Sequence, residues 1–174
     1  NKFINIDGFM VNLILLDTRY FRSELNKTIG INPVYKKNLD LNSTILGKKQ
    51  WAWLEEIINR KADLVIISTS IQLLATSHRF EKWSNFPHEH IRMKKLLKQL
   101  NTPVLIISGD RHQGAIYKED GLFEITSSSL NKVLSPSKFI GRPKEVDNLM
   151  IGDMYPGENY GLITIDTEKK DFLI

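Results

Sequence analysis

Three short, nearly continuous apolar runs punctuate the first two thirds of the chain: Val11 to Leu16, Leu64 to Ile67 and Val104 to Ile107. Runs of four to six apolar residues rich in Val and Ile fit strands buried on both faces, as in a parallel sheet. Each ends in polar residues: Asp17, then Ser68-Thr69-Ser70, then Ser108-Gly109-Asp110. Between the runs the period changes. Trp51, Leu54, Ile57 and Ile58 fall on one stripe of a helix predicted over Gly47 to Lys61. A second helix is predicted over Pro87 to Leu100, with Pro87 in its first turn, Ile91, Leu96, Leu97 and Leu100 as its apolar side, and Pro103 preventing continuation.

The remaining segments read as loops or short β segments. Tyr20 to Thr44 has no clear period and contains Pro33, and Ile71 to Phe86 mixes polar, charged and aromatic residues. Both are taken as long loops. After residue 113 the texture becomes β-like: Ala115 to Tyr117, Leu122 to Thr126 and Tyr160 to Ile165 are short segments suited to antiparallel pairing. Ser135 to Glu158, with three prolines and three glycines, is expected to be irregular. Strand, helix and strand in alternation give an α/β fold class, and 174 residues suffice for one domain with its own core.

Composition narrows the function classes. Hydrophobic residues are 41% and charged residues 25%, values typical of a globular chain. The net charge is +4, but the lysine pairs Lys48-Lys49, Lys94-Lys95 and Lys169-Lys170 lie on separate segments and do not interleave with aromatics, so no nucleic-acid partner is expected. There is no cysteine, which removes disulfides, thiolate metal sites and cysteine nucleophiles. No apolar run approaches the ~20 residues of a transmembrane helix. Neither a Gly-x-Ser-x-Gly elbow nor a Gly-x-x-x-x-Gly-Lys loop occurs.

Candidate chemistry gathers where the strands end, since loops converge at the carboxyl edge of a parallel sheet. Asp110 and His112, two residues apart after the third run, offer a carboxylate and an imidazole, a ligand pair suited to iron, zinc or manganese; a hydrogen-bonded turn is the plain alternative. A tight turn there is attributed to Gly109. Arg19 and Arg22 follow the first run, where a guanidinium can take a phosphate through two parallel hydrogen bonds or simply form a surface ion pair. Trp83 and Phe86 suit the core better than a pocket wall. His78, His88 and His90 have no supporting spacing and are assigned to the surface or to caps.

Seven segments, in order, carry a family resemblance: Leu16-Asp17-Thr18-Arg19-Tyr20-Phe21-Arg22, Gln50-Trp51-Ala52-Trp53-Leu54, Ser70-Ile71-Gln72, Glu81 to Pro87, Ser108-Gly109-Asp110-Arg111-His112, Thr126 to Asn131, and Asn159-Tyr160-Gly161. Together they resemble the alkaline phosphatase D (PhoD-like) phosphatases, over nearly the whole chain. The resemblance implies the C-terminal half of a calcineurin-like metallophosphoesterase sandwich, two β-sheets flanked by helices in α-β-β-α layers. It also implies hydrolysis of phosphate esters, mono- or diesters, with two metal ions (iron, calcium, zinc or manganese) supplying a bound hydroxide. By position His112 is then a metal ligand and Asp110 a ligand or the residue that orients one. Arg19, Gln72 and Asn85 border the substrate. The family's other ligands belong to an N-terminal half that this sequence does not include, so the missing half is an expected partner. A metal-free binding or structural module that kept the fold is the alternative. An extracytoplasmic location is suggested by the resemblance only.

Overall fold

The three apolar runs become the centre of one sheet. The computed structural model describes residues 1–30, 34–133, 146–169 and 171–173. In chain order the strands and helices are β1 (Lys2–Ile6), β2 (Phe9–Leu15), α1 (Gly47–Ile57), β3 (Leu64–Ser68), α2 (Pro87–Lys98), β4 (Val104–Ser108), β5 (Gly114–Glu119), β6 (Leu122–Ser127), β7 (Met150–Tyr155), β8 (Thr164–Asp166) and β9 (Asp171–Leu173). A 3-10 turn at Trp83–Asn85 precedes α2. Seven strands form a sheet in the order β1-β2-β3-β4-β6-β5-β7, and β8 pairs with β9.

Strands β2, β3, β4 and β6 run parallel, whereas β1, β5 and β7 add antiparallel edges. Alternation along β3 shows why the runs are continuously apolar. Val65 and Ile67 join the core cluster that also holds Trp51 and Leu54 of α1 and Met93 and Leu97 of α2. Leu64 and Ile66 point the other way, into a smaller cluster with Phe9, Val11, Leu105 and Ile125, against which Ile163 and Ile165 pack. The sheet therefore carries its helices on one face and an apolar opposite face, the arrangement of one half of a layered sandwich. The expected α/β class holds.

Several elements differ from the sequence expectation. β1 and β2 form a hairpin whose Asp7-Gly8 turn has φ of 49° and 90°, a two-residue connection with both central residues left-handed. Asp120-Gly121 repeats the device between β5 and β6. Met150–Tyr155, placed in an irregular stretch, is strand β7 at the sheet edge; residues 135–145 of that stretch, like Pro33, lie outside the described residues. Of Tyr160 to Ile165 only the end is a strand.

Helix α2 is rotated from its expected phase: Ile91 is 62% exposed, while Glu89, His90, Met93 and Leu97 are buried. The cause is Glu89. Its carboxylate accepts from the Ile45 backbone N–H at 2.9 Å, from Thr44 Oγ1 at 3.1 Å and from Trp51 Nε1 at 2.8 Å, so it must face α1. The same carboxylate also lies 3.4 Å from Leu46 N, so it satisfies backbone donors just before α1 begins.

Candidate functional site

The site is assembled at the carboxyl ends of β2, β3, β4 and β6. Where β2 ends, the Asp17 carboxylate accepts from its own chain, from Arg19 N–H at 2.8 Å and Tyr20 N–H at 2.9 Å. These two bonds, Tyr20's first, hold its pKa below the usual carboxylate value. The Gln50 side chain of α1 clasps the same turn, accepting from Asp17 N–H at 2.9 Å and donating to Asp17 O at 2.8 Å. A hydroxyl pair, Thr18 and Ser70 at 2.5 Å, ties the ends of β2 and β3.

Arg19 emerges from this turn and is gripped twice. One terminal nitrogen donates to Glu81, and the other lies 3.3 Å from an Asp110 carboxylate oxygen. Burial pulls the guanidinium pKa down, but Glu81 and Asp110 outweigh it and raise it above its ordinary value. The other Glu81 oxygen lies 2.9 Å from Arg22 Nε. Neither ion pair is an isolated surface contact, because the Glu81 side chain is only 8% exposed.

After β4 the chain makes the tightest turn of the site. Asp110 (φ 67°) and His112 (φ 54°) are both left-handed, an unfavourable conformation for residues with a Cβ. Gly109 is not, and a Cβ there would meet nothing nearer than 3.8 Å, so the turn is not built on its glycine. Ser128 holds it instead. Its hydroxyl accepts from the N–H groups of Arg111 (3.2 Å) and Gln113 (3.3 Å) and donates to Gln113 O (3.0 Å). Asn159 anchors Ser128 in turn, accepting from its N–H at 3.2 Å and from Ser127 Oγ at 3.0 Å. Backbone conformations of this kind persist where surrounding contacts over-determine them, and they concentrate at functional sites.

A cavity of about 610 Å3 opens beside the turn, with Arg19 and Asp110 at one side, Ser70, Ser108 and Ser127 among its polar lining, and Ile107, Ile125 and Ile163 among its apolar lining. His112 is half-buried, does not line this cavity and makes no hydrogen bond among the described residues. Arg19 and Asp110 are thus brought together at the cavity, with His112 on the same turn. Gln72 and Asn85 are not part of it. Gln72 is fully buried and donates to Thr126 Oγ1 at 2.7 Å. Asn85 accepts from Lys82 N–H at 2.8 Å and donates to Tyr35 O at 3.3 Å, bracing the loop after β2.

The histidines also depart from expectation. His78 and His90 are buried, not at the surface. Burial, with Arg111 and Lys82 adding to it, pushes His78 down to about 2; burial and then Lys94 push His90 down to about 4. His88 pairs with the Ser43 carbonyl, in the loop before α1, at 2.7 Å. Trp83 and Phe86 are core, as expected.

No group of three or more His, Cys, Asp or Glu side chains that could hold a metal occurs among the described residues. Asp110 and His112 supply two donors, and two donors leave most of a coordination sphere open, so these residues do not by themselves make a metal centre.

The model of the PhoD-like phosphatase family matches residues 6–143, about four fifths of the sequence. The chain belongs to that family. Alkaline phosphatase D of Bacillus subtilis (strain 168) is 26% identical over 133 residues, a match that covers 71% of this chain and 23% of the relative. The chain thus spans about a quarter of the length of that curated relative. The solved structure of PhoD superposes with a TM-score of 0.56 at 20% identity, covering 74% of this chain and 28% of the other. A structure described as GAP50, the anchor in the inner membrane complex of Plasmodium, gives 0.58 at 16% identity, covering 98% of this chain and 50% of the other. At these identities both likenesses speak for the fold.

Proposed function

We propose that this chain is the C-terminal part of a metal-dependent phosphoesterase acting on phosphate mono- or diesters. The observation that carries the proposal is the placement of Arg19 and Asp110 together at a cavity on the strand ends of a PhoD-like phosphatase chain. Arg19 contacts the phosphoryl oxygens, for which a planar, permanently charged fork is suited. Asp110 and His112 contribute to metal binding, with the remaining ligands supplied by chain outside this sequence and the ions drawn from iron, calcium, zinc or manganese. A bound metal of this kind supplies a hydroxide nucleophile near neutral pH. Gln72 and Asn85 support the loops rather than touch the ester.

A second reading is a metal-free binding module. What favours it is the want of a three-ligand cluster among the described residues, and a family fold can persist without its chemistry. No helix among the described residues is long and apolar enough to cross a membrane.

Metal content of the full-length protein by mass spectrometry, together with hydrolysis of a chromogenic phosphomonoester and phosphodiester, separates the two. About two metals per chain, with hydrolysis abolished in His112→Ala, supports the phosphoesterase. Absence of both metal and hydrolysis in the wild type overturns it in favour of the module.

A further inference from the structure

Glu81 has an unusual setting for a carboxylate. Its side chain is 8% exposed, yet it faces two arginines that are more open to solvent, Arg19 at 45% and Arg22 at 20%. Its two oxygens are divided between them, one to each. The segment that carries it is held from several sides. Trp83 N–H donates to Gln72 O at 3.0 Å, the Trp83 ring is fully buried, Lys82 N–H donates to Asn85 Oδ1 at 2.8 Å, and Lys82 Nζ donates to the carbonyls of His78 and Phe80. Glu81 is therefore a fixed charge on a rigid support. Asp110, the other partner of Arg19, is 47% exposed and sits at 3.3 Å on the left-handed turn.

We infer that Glu81 is a positioning residue for Arg19: it grips one terminal nitrogen of the guanidinium and so presents the other, now shared with Asp110, to an oxyanion at the cavity. The inference rests on the reading above that Arg19 contacts phosphate. An arginine side chain loses rotamer entropy when it is immobilised, and fixing it before the ligand arrives removes that cost from binding. The two carboxylates then have separate parts. An incoming phosphate competes with the looser, half-exposed Asp110 for the guanidinium, and the buried Glu81 stays in place.

A double-mutant cycle on the full-length protein tests this, with Arg19→Ala, Glu81→Gln and the pair, reading the Kd of inorganic phosphate by calorimetry and kcat and KM separately for the chromogenic ester. Glu81→Gln keeps the shape of the side chain and removes the charge that orients Arg19. The expected result is a phosphate Kd and ester KM raised about tenfold by Arg19→Ala, raised severalfold by Glu81→Gln, and no higher in the double variant than in Arg19→Ala. If the two effects multiply instead, Glu81 acts independently of Arg19 and the inference is overturned while the phosphate contact stands. If Arg19→Ala changes neither Kd nor KM, the phosphate contact itself fails and the inference with it. Should Glu81→Gln prevent folding, judged by its Tm, Glu81→Asp carries the same cycle, since its shorter side chain keeps the charge but withdraws it from Arg19.

Discussion

Two loops leave neighbouring parallel strands of the same sheet and meet opposite fates. The loop after β3 turns inward: Ile71, Gln72, Leu73, Leu74 and Ala75 are buried, as are Trp83, Ser84, Asn85 and Phe86. The turn after β4 buries Arg111 and Gln113 but leaves Asp110 exposed and His112 half-buried, both in left-handed conformations. A buried loop is ordinarily costly because its backbone groups lose water. Here two carboxylates replace that water. Glu124 of β6, itself fully buried, accepts from Leu73 and Leu74 N–H, and Asp147 accepts from Thr76 at 2.7 Å and Ser77 at 2.9 Å. Burial raises the Glu124 pKa, and hydrogen bonds from Ser108 and from the Leu73 to Ala75 backbone oppose that shift. The β4 turn spends its hydrogen bonds differently. Ser128 fixes its backbone and leaves the side chains of Asp110 and His112 uncommitted except for the Arg19 contact. One loop is a wall and the other leaves its side chains largely uncommitted.

The largest effect that would sharpen this contrast comes from the wall. Trp83 packs edge-on against Trp51 at 6.4 Å and donates to Thr69 Oγ1 at 3.0 Å. Trp83→Ala should lower unfolding free energy by about 3–5 kcal/mol in denaturant titration; a loss below ~1 kcal/mol would mean that the loop is not packed as described.

Next in size is a pH effect. His90 lies on the buried face of α2, where burial and Lys94 hold it down to about 4, with the Leu73 carbonyl and Glu119 pulling the other way and Lys37 adding a small further depression. Its ordinary value is 6.5, so the unfolded chain binds a proton between pH 6.5 and 4 that the folded chain refuses. Stability is therefore complete above pH 6.5 and falls as the pH drops toward 4, by up to about 1.4 kcal/mol per unit. His78, held down to about 2, adds an equal loss over the same window, so His90→Gln should reduce the slope by about half rather than abolish it, and an unchanged slope would show that His90 does not contribute to it.

Asp110→Gly tests the other side of the comparison. Hydrolysis by the full-length protein should fall at least about 100-fold, while stability should stay level or rise by up to ~1 kcal/mol as the left-handed strain is relieved. Destabilisation by more than that would make Asp110 a structural residue. The smallest effect is expected at Gly109→Ala, where the added methyl meets only ordinary contacts; Tm should shift by no more than the equivalent of ~0.5 kcal/mol.

Much of the architecture was legible because its signals are local. Leu64 to Ile67 reads as a buried strand from four consecutive apolar residues, and Pro87 marks the start of α2 within the residue. The hairpin through Asp7-Gly8 was not anticipated, although the same dipeptide splits β5 from β6, because Lys2–Ile6 is only five residues long and shows no sustained period. Of the candidate site, the positions of Arg19 and Asp110 after apolar runs pointed to the strand ends, where both line the cavity. Gln72, chosen for its place after a strand, and Asn85, chosen from the family resemblance, do not line the cavity and instead hydrogen-bond Thr126 and the Tyr35 carbonyl, partners that neither a position nor a segment match discloses. Glu81 and Ser128, which hold Arg19 and the β4 turn, carry no spacing signal at all.

Sequence by itself determined the alternation of buried strands and helices, the polar character of their carboxyl ends and the family, because periodicity, turn dipeptides and segment order are properties of neighbouring residues. Only the tertiary structure decided that Glu89 rather than Ile91 faces the core, that Glu124 seals the loop after β3, and that strain falls on Asp110 and His112 rather than on Gly109. Each of those outcomes depends on a partner from 15 to more than 50 positions away, and the energy of burying or exposing a polar group is set by that partner and not by the residue alone.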